Sequence, residues 1–440
     1  MVSPLAPHGR SKAGWLSRVG SLALMIGVYP ELAGARDEAA AAAPPAASSV
    51  AAPVTPPRTD ARLAFEPYRG LVVTSGDGKF ELGLRMRFQL LSIVERSRAS
   101  ALRQTFQVRR ARFGSLGHLV SPDFKYRLEL AFGPREVNTR AGTPQTSPLL
   151  DLVLDWQHFR DLNVRAGQYK VPFDRQRIIP FFKLQFVDRA LTDTEFTFDR
   201  DLGVDLHSSD LFGLGGLRYN LGVFTGNGRN AFELGDLGLT YVARVEVLPF
   251  GLFDAYSEGD FDRGGLQMSL GLAYLLIERA PRDHGILGAE PADGGTTDMQ
   301  VATVDALVQF HGWSVLSAFF LRDSRRNPGP LVDDAGVALA GPDGAPVTIA
   351  PSRDGTGFLV QGGYLLPFLP LELAARYAVV DGREAPNRDG LTRVEEFAGA
   401  LNYYVARHQL KLQANYTRLA QNGDYAGALG RAHLQLQAAF

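Results

Sequence analysis

From Lys79 onward, apolar and polar residues alternate. The stretch KFELGLRMRFQL sets Phe80, Leu82, Leu84, Met86, Phe88 and Leu90 on one face and Lys79, Glu81, Arg85, Arg87 and Gln89 on the other. That is the period of a strand whose two faces meet different surroundings. FKYRLELAF opposes Phe124, Tyr126, Leu128, Leu130 and Phe132 to Lys125, Arg127 and Glu129. LLDLVLDW opposes Leu150, Leu152, Leu154 and Trp156 to Asp151 and Asp155. LRYNLGVF, LTYVARVEV, LQMSLGLAY, LELAARYAV and LKLQANY continue the scheme, and LQLQAAF carries it to Phe440.

A soluble sandwich alternates too, so segment length and connection length must decide. The segments run to about ten residues, enough to cross a membrane when tilted. Ser121-Pro122, Arg160-Asp161, His311-Gly312, Pro367 to Pro370 and Val405 to Arg407 are tight, whereas 134–148, 171–200, 280–298 and 322–355 are long. Short periplasmic turns facing long extracellular loops predict an all-β fold: a transmembrane antiparallel β-barrel of about sixteen strands, with both ends of the strand array on the periplasmic side. Residues 251–264, GLFDAYSEGDFDRG, break the rule by being long where a short turn is due, which leaves the count open by one pair. Phe310, Trp313, Tyr403, Tyr404 and Tyr416 fall near strand ends, where interfacial girdles are expected.

The start of the chain reads differently. Arg10, Lys12 and Arg18 precede the apolar SLALMIGVYPELAGA, which closes on Ala33-Gly34-Ala35, the form of a cleaved export signal over residues 1–35 and too short to span a bilayer. Residues 36–77 are rich in alanine and proline and are expected to form a periplasmic linker, leaving 78–440 as the barrel. Removing residues 1–35 leaves 43 basic against 46 acidic residues. The absence of cysteine fits an oxidising envelope compartment. Near-neutral mean hydropathy argues against a helical membrane protein but suits a barrel, half of whose strand residues face water.

About sixteen strands enclose water rather than a packed core, so transport is the default function. With apolar residues toward lipid, Arg85 and Arg87, then Lys125 and Arg127, then Arg165 turn inward, opposed by Glu81 and Glu129. Later strands add a mixed set: Arg218, Arg244, Glu246, Glu372, Arg376 and Lys411. The intervening FQVRRARFG is the difficult stretch. Strict alternation would aim either Arg109 or the pair Arg110 and Arg112 at lipid, at a cost of about 2 to 4 kcal/mol per arginine at mid-bilayer. A β-bulge at Arg109-Arg110 would turn all three inward and leave Phe106, Val108, Ala111 and Phe113 outside. The alternative is arginines near a strand end snorkelling to headgroups.

RRARF with Gly114 and Gly117 behind it, GQYKVPF at Gly167 to Phe173 and RDLGV at Arg200 to Val204 resemble the phosphate-selective porin O and P family. The resemblance runs from about residue 78 to the end. It implies a sixteen-stranded homotrimeric porin in the outer membrane of a Gram-negative cell, with a long loop folded inward as a constriction. By parity that loop is 171–200. It further implies that Arg109 and Arg110 belong to an anion-attracting lining and that Lys170 stands where the loop begins.

The expected pore-lining and anion-binding residues are therefore Arg85, Arg87, Arg109, Arg110, Arg112, Lys125, Arg127, Arg165 and Lys170, with Arg175, Arg177, Lys183 and Arg189 on the constriction loop. Arginine suits the task because its planar fork binds phosphate oxygens in pairs and never loses its charge. The loop itself is balanced, since Asp174, Asp188, Asp193, Glu195 and Asp199 answer its cations together with Arg200. The expected permeants are small anions, phosphate or polyphosphate among them, and the expected surroundings are outer-membrane lipid. A general, weakly selective porin is the alternative, followed by a barrel enzyme or an envelope anchor. The eight histidines are scattered, and His207 beside Ser208-Ser209 lacks a third partner, so no catalytic set emerges. No metal-ligand spacing, cofactor loop or nucleic-acid motif is present.

Overall fold

The computed structural model describes residues 60–440 apart from 99, 138–146, 232–237, 334–335, 342–343 and 384–389. The proposed export signal and most of the proposed linker lie outside these residues.

Two short strands, β1 (Arg62–Glu66) and β2 (Gly70–Thr74), precede the wall. The wall itself comprises β3 (Glu81–Ser97), β4 (Ser100–His118), β5 (Phe124–Ala131), β6 (Leu149–Trp156), β7 (Asn163–Lys170), β8 (Arg200–Ser208), β9 (Leu217–Phe224) and β10 (Thr240–Val247), followed by β11 (Gln267–Ala280), β12 (Thr296–Phe310), β13 (Trp313–Asn327), β14 (Gly355–Leu365), β15 (Leu371–Gly382), β16 (Val394–Ala406), β17 (Leu410–Gln421) and β18 (Asp424–Ala439). Each pairs antiparallel with the next. β18 returns to β3 from Gly430↔Arg96 to Ala439↔Arg87, closing a sixteen-stranded barrel. The final residue belongs to the seam, because Phe440 exchanges both backbone hydrogen bonds with Met86.

β2 takes over the same edge of β3 where β18 runs out, pairing Leu71↔Leu84 through Thr74↔Glu81. This hairpin lies within the stretch assigned above to the linker. Ordered pairing starts at Arg62, where RLAFE and GLVVT carry enough β-branched and aromatic residues to join a sheet.

The outer surface is the apolar face read from the sequence. Leu152, Leu154, Val204, Leu221, Leu272, Val304, Phe319, Leu401 and Leu434 are all exposed on it, as a lipid-facing band requires. Phe310, Trp313, Tyr403 and Tyr416 lie on the same face, and Trp313 packs against Tyr364 with ring centroids 4.6 Å apart. Tyr404 does not. As the neighbour of Tyr403 it must point to the opposite face, where it is buried and its hydroxyl donates to Glu372 Oε2 at 2.6 Å.

The interior is uneven. Behind β11 to β15 the inward residues Leu275, Ile277, Val301, Leu316, Phe320, Leu359 and Val380 form a dry cluster with Phe173, Phe196 and Phe198 from the 171–199 loop. Water-accessible space is left beside β3 to β9, where the inward residues are charged, and continues past the loop beside β15 to β18.

Candidate functional site

The register of β3 against β4 resolves FQVRRARFG. Gln89 faces Arg110 and the next residue, Leu90, faces Val108, so Arg109 is an inserted residue opposite nothing. Below this bulge Arg112 stands directly across from Arg87. Phe106 is 74% exposed on the outer face, while the three arginines reach inward partners. Arg109 Nη2 donates to Asp188 Oδ1 on the inward loop at 2.7 Å, Arg110 Nη1 to Gln89 Oε1 at 2.6 Å, and Arg112 Nη1 to Glu129 Oε1 at 2.7 Å. The snorkelling alternative does not describe this strand.

Like charges facing each other across a ladder repel, and one carboxylate answers most of them. Glu129 on β5 accepts from Arg85 and Arg87 at 3.1 Å each and from Arg112. Arg112 Nε also reaches Glu136 Oε1 at 2.8 Å, on the short helix α1 (Pro134–Val137). Farther round the wall, Asp151 accepts from Arg200 Nε at 2.6 Å and lies 3.7 Å from Arg127, while Arg165 Nε donates to Asp205 Oδ2 at 2.9 Å. Lys125 is half exposed near the periplasmic end and donates to Gln157 Oε1 at 2.6 Å.

The 171–199 loop crosses the interior. The GQYK motif that launches it contains Gly167 at φ +130°, where a Cβ would stand 2.0 Å from the Leu152 carbonyl on β6. Only glycine permits that approach. Lys170 then donates to the carbonyls of Arg177 (2.6 Å), Ile179 (3.2 Å) and Ile178 (3.3 Å), closing the end of α2 (Arg175–Ile178). Asp174 caps the start of α2 by accepting from Arg177 N. The loop's other basic residues have different surroundings. Arg177 pairs with Asp193 at 2.7 Å, and Arg189 holds the Gln176 and Ile179 carbonyls at 2.8 Å each. Lys183 pairs with Asp254 at 2.6 Å. Arg175 is fully buried between Asp305 Oδ1 (2.6 Å), Ser269 Oγ (2.8 Å) and the Ala255 carbonyl (3.0 Å), so it fastens the loop to the wall.

Four cavities follow one another along the basic wall. The outermost, about 520 Å³, shares Arg109, Arg110, Arg177 and Arg189 with a second of about 310 Å³. The second shares Arg112, Lys170, Phe181 and Arg200 with a third of about 450 Å³. The third shares Arg85, Arg127 and Arg165 with a fourth of about 400 Å³ that reaches Lys125 and Arg69 at the periplasmic end. Every junction is basic. The second cavity is lined by eight cationic residues against Glu136 and Asp199, and the third by eight against Glu129, Asp151 and Asp254.

The charges of later strands serve other ends. Arg244 is fully buried on Asp305, with bonds of 2.7 and 3.0 Å, and also holds Glu246. Arg376 bonds Glu396 at 3.0 Å, Lys411 donates to the Leu184 carbonyl at 2.6 Å, and Glu372 accepts from Gln185, Asn402 and Tyr404. The long turn flagged by parity also folds inward. Glu258 N donates to the Lys183 carbonyl at 3.0 Å, and its side chain accepts from Gln185 N at 2.6 Å. Residues 251–264 thus support the constriction loop from below, and the strand count needs no change.

Electrostatics hold the loop from above as well. Glu195, at the end of α3 (Leu191–Phe196), is bound by Arg353 at 2.7 and 3.0 Å, by His284 Nε2 at 3.0 Å and by Arg322. Burial alone would raise the Glu195 carboxyl, but these partners pull it below the ordinary range. Burial likewise lowers the His284 imidazole, and the hydrogen bonds to Asp283 and Glu195 more than reverse this, so its pKa is raised. A raised imidazole stabilises the fold fully below the unfolded value of about 6.5, and that contribution disappears as pH climbs through the folded value. Thermal stability is therefore expected to fall on going from pH 6 to pH 9, and to fall less in His284→Gln. Equal slopes in the two melting series would contradict the tether.

The stretch holding this wall and loop has relatives. Residues 80–251 match the family described as phosphate-selective porin O and P. The likeness to that family is carried by the basic wall and the inward loop, on a barrel of the porin fold. Solved porins share the fold: the anion-selective porin from Comamonas acidovorans superposes with a TM-score of 0.52 at 14% identity, covering 82% of this chain and 99% of that one. A loop-deletion mutant of OmpT, an outer membrane protein of Vibrio cholerae, gives 0.52 at 11% identity with the same coverage. OprB of Pseudomonas putida gives 0.50 at 13%, covering 82% of this chain and 94% of that one. No curated protein matches the sequence. The family match, with the barrel, places the protein in the Gram-negative outer membrane. Two features of its lumen escaped the sequence reading, Arg229 in the second cavity and Phe181 at the junction of the second and third. An isolated arginine in a connection and an aromatic pair in a loop carry no periodic signal.

Proposed function

We propose that the porin conducts small anions by passive diffusion along the basic wall, with inorganic phosphate as a preferred permeant. The observation that carries this reading is the succession of cavities whose every junction is cationic. Rings of arginine and lysine select anions in pores, and passage requires several moderate sites rather than one tight one. Here Glu129 is shared among Arg85, Arg87 and Arg112, so the wall keeps a positive excess without a single deep well. On the loop, Asp188 is drawn below the usual carboxylate range: burial acts upward, but Arg109 and Arg110 outweigh it. It therefore stays ionised and offsets part of that excess, which moderates binding. The same fold serves an anion-selective porin in Comamonas acidovorans, and the family resemblance carries the expectation of a homotrimer.

Phosphate preference has a direct test. Phosphate added to a chloride-bathed bilayer is expected to block the current, and Arg110→Ala to raise the half-blocking concentration by about tenfold, the loss of one charge-assisted contact. Anion selectivity without block, or block unaltered by Arg110→Ala, would mark a general anion channel instead.

A further inference from the structure

The basic wall poses a physical difficulty of its own. Arg87, Arg110 and Arg112 crowd one face around the shared Glu129 and Glu136, and one carboxylate more for each arginine would cancel the charge that an anion would feel. The inward loop supplies another support. The Arg87 guanidinium carbon lies 4.1 Å from the centroid of the Phe182 ring, and those of Arg112 and Arg110 lie 4.3 and 4.9 Å from Phe181. A ring face attracts a cation through its quadrupole and leaves the net charge intact.

The platform is firmly built. Phe181 and Phe182 meet edge to face with centroids 5.8 Å apart and are nearly fully buried. Tyr68 stacks behind Phe182 at 5.8 Å, and the Phe182 carbonyl accepts from Gln437 Nε2 at 2.9 Å. The turn is closed by Lys183 N on the Pro180 carbonyl at 2.8 Å. Phe181 also stands at the junction of the second and third cavities.

We infer that Phe181 and Phe182 are positioning residues for selectivity: they hold Arg87, Arg110 and Arg112 at the lumen by ring contacts that add no negative charge beyond the shared Glu129 and Glu136, so that anion preference depends on the loop's aromatic pair as well as on the arginines. This rests on the anion reading above.

The test measures zero-current potentials in a salt gradient across bilayers carrying the full-length porin. Phe181→Leu and Phe182→Leu keep most of the apolar volume but remove the ring, and each is expected to lower the anion-over-cation permeability ratio by about threefold, the factor of a modest cation–aromatic contact. Phe181→Tyr keeps a ring and should keep the wild-type ratio. Phe198→Leu serves as the structural control. Its ring meets Phe173 edge to face within the dry cluster, so it should lower thermal stability and leave the ratio unchanged. A ratio unaltered in both Phe181→Leu and Phe182→Leu, or lowered equally by Phe198→Leu, would overturn the inference while leaving a selective wild-type channel in place. A wild-type channel without anion preference would instead remove the reading on which the inference rests.

Discussion

With Arg109→Glu and Arg110→Glu combined, the zero-current potential of the protein is expected to cross from the anion side to the cation side of a salt gradient. Both side chains stand at the junction of the two outer cavities, so a permeating ion must pass them. The substitution changes the local charge by four. For an ion about 6 Å away, each unit amounts to about 0.7 kcal/mol even at the dielectric constant of water, and to several times that in the narrower parts of the lumen. The permeability ratio is therefore expected to change by more than tenfold. The measurement belongs at about 0.1 M salt, where screening acts over about 10 Å; at molar salt the effect contracts with the Debye length. A glutamate pair on a strand aimed at lipid would give a protein that fails to insert. A selective channel of opposite sign is the signature of a bulged, inward strand.

Asp305→Ala is expected to damage the molecule more than any single change at the basic wall. Asp305 lies between two fully buried arginines, Arg175 of the constriction loop and Arg244 of β10, and bonds both. Removing the shared carboxylate leaves two buried cations without their main partner, a loss of about 3 to 5 kcal/mol. The loop loses its anchor at the same point, since Arg244 Nη1 also holds the Phe173 carbonyl at 2.8 Å. Thermal unfolding should begin at distinctly lower temperature, and single channels should become larger and noisier as the loop leaves the lumen. Asp254→Ala provides the comparison: the carboxylate is largely exposed and its pair with Lys183 is of the surface kind, so its effect should stay below about 1 kcal/mol. Equal melting shifts in the two variants would contradict the anchoring role.

Much of this architecture is legible in the sequence because lipid enforces it. A residue facing hydrocarbon is punished for polarity at every second position, so period two recurs in strand after strand from Phe80 to Phe440, and the lapse at Arg109-Arg110 marks a bulge rather than noise. The same strictness made the over-long 251–264 connection visible as an anomaly, though not its inward course. Alternation assigns a face; it does not say what meets that face across the lumen. Arg85 and Arg244 both read as inward cations, yet one lines a cavity and the other is sealed against Asp305. The difference arises from partners tens to hundreds of positions away in the chain. Lys170 was legible as a position at the loop's root, whereas its bonds to three loop carbonyls were not. The hairpin at Arg62–Thr74 was hidden by the alanine-proline run before it, which dominated the reading of that stretch.

The central claim is that the charge along this lumen works as an anion path. The most direct test is the zero-current potential of the unmodified porin in a planar bilayer, with tenfold different potassium chloride concentrations on the two sides. Discrete channels whose potential lies on the chloride side are predicted. Channels with a potential at zero or on the potassium side would show that the acids of the lumen offset its arginines, and the account would fail.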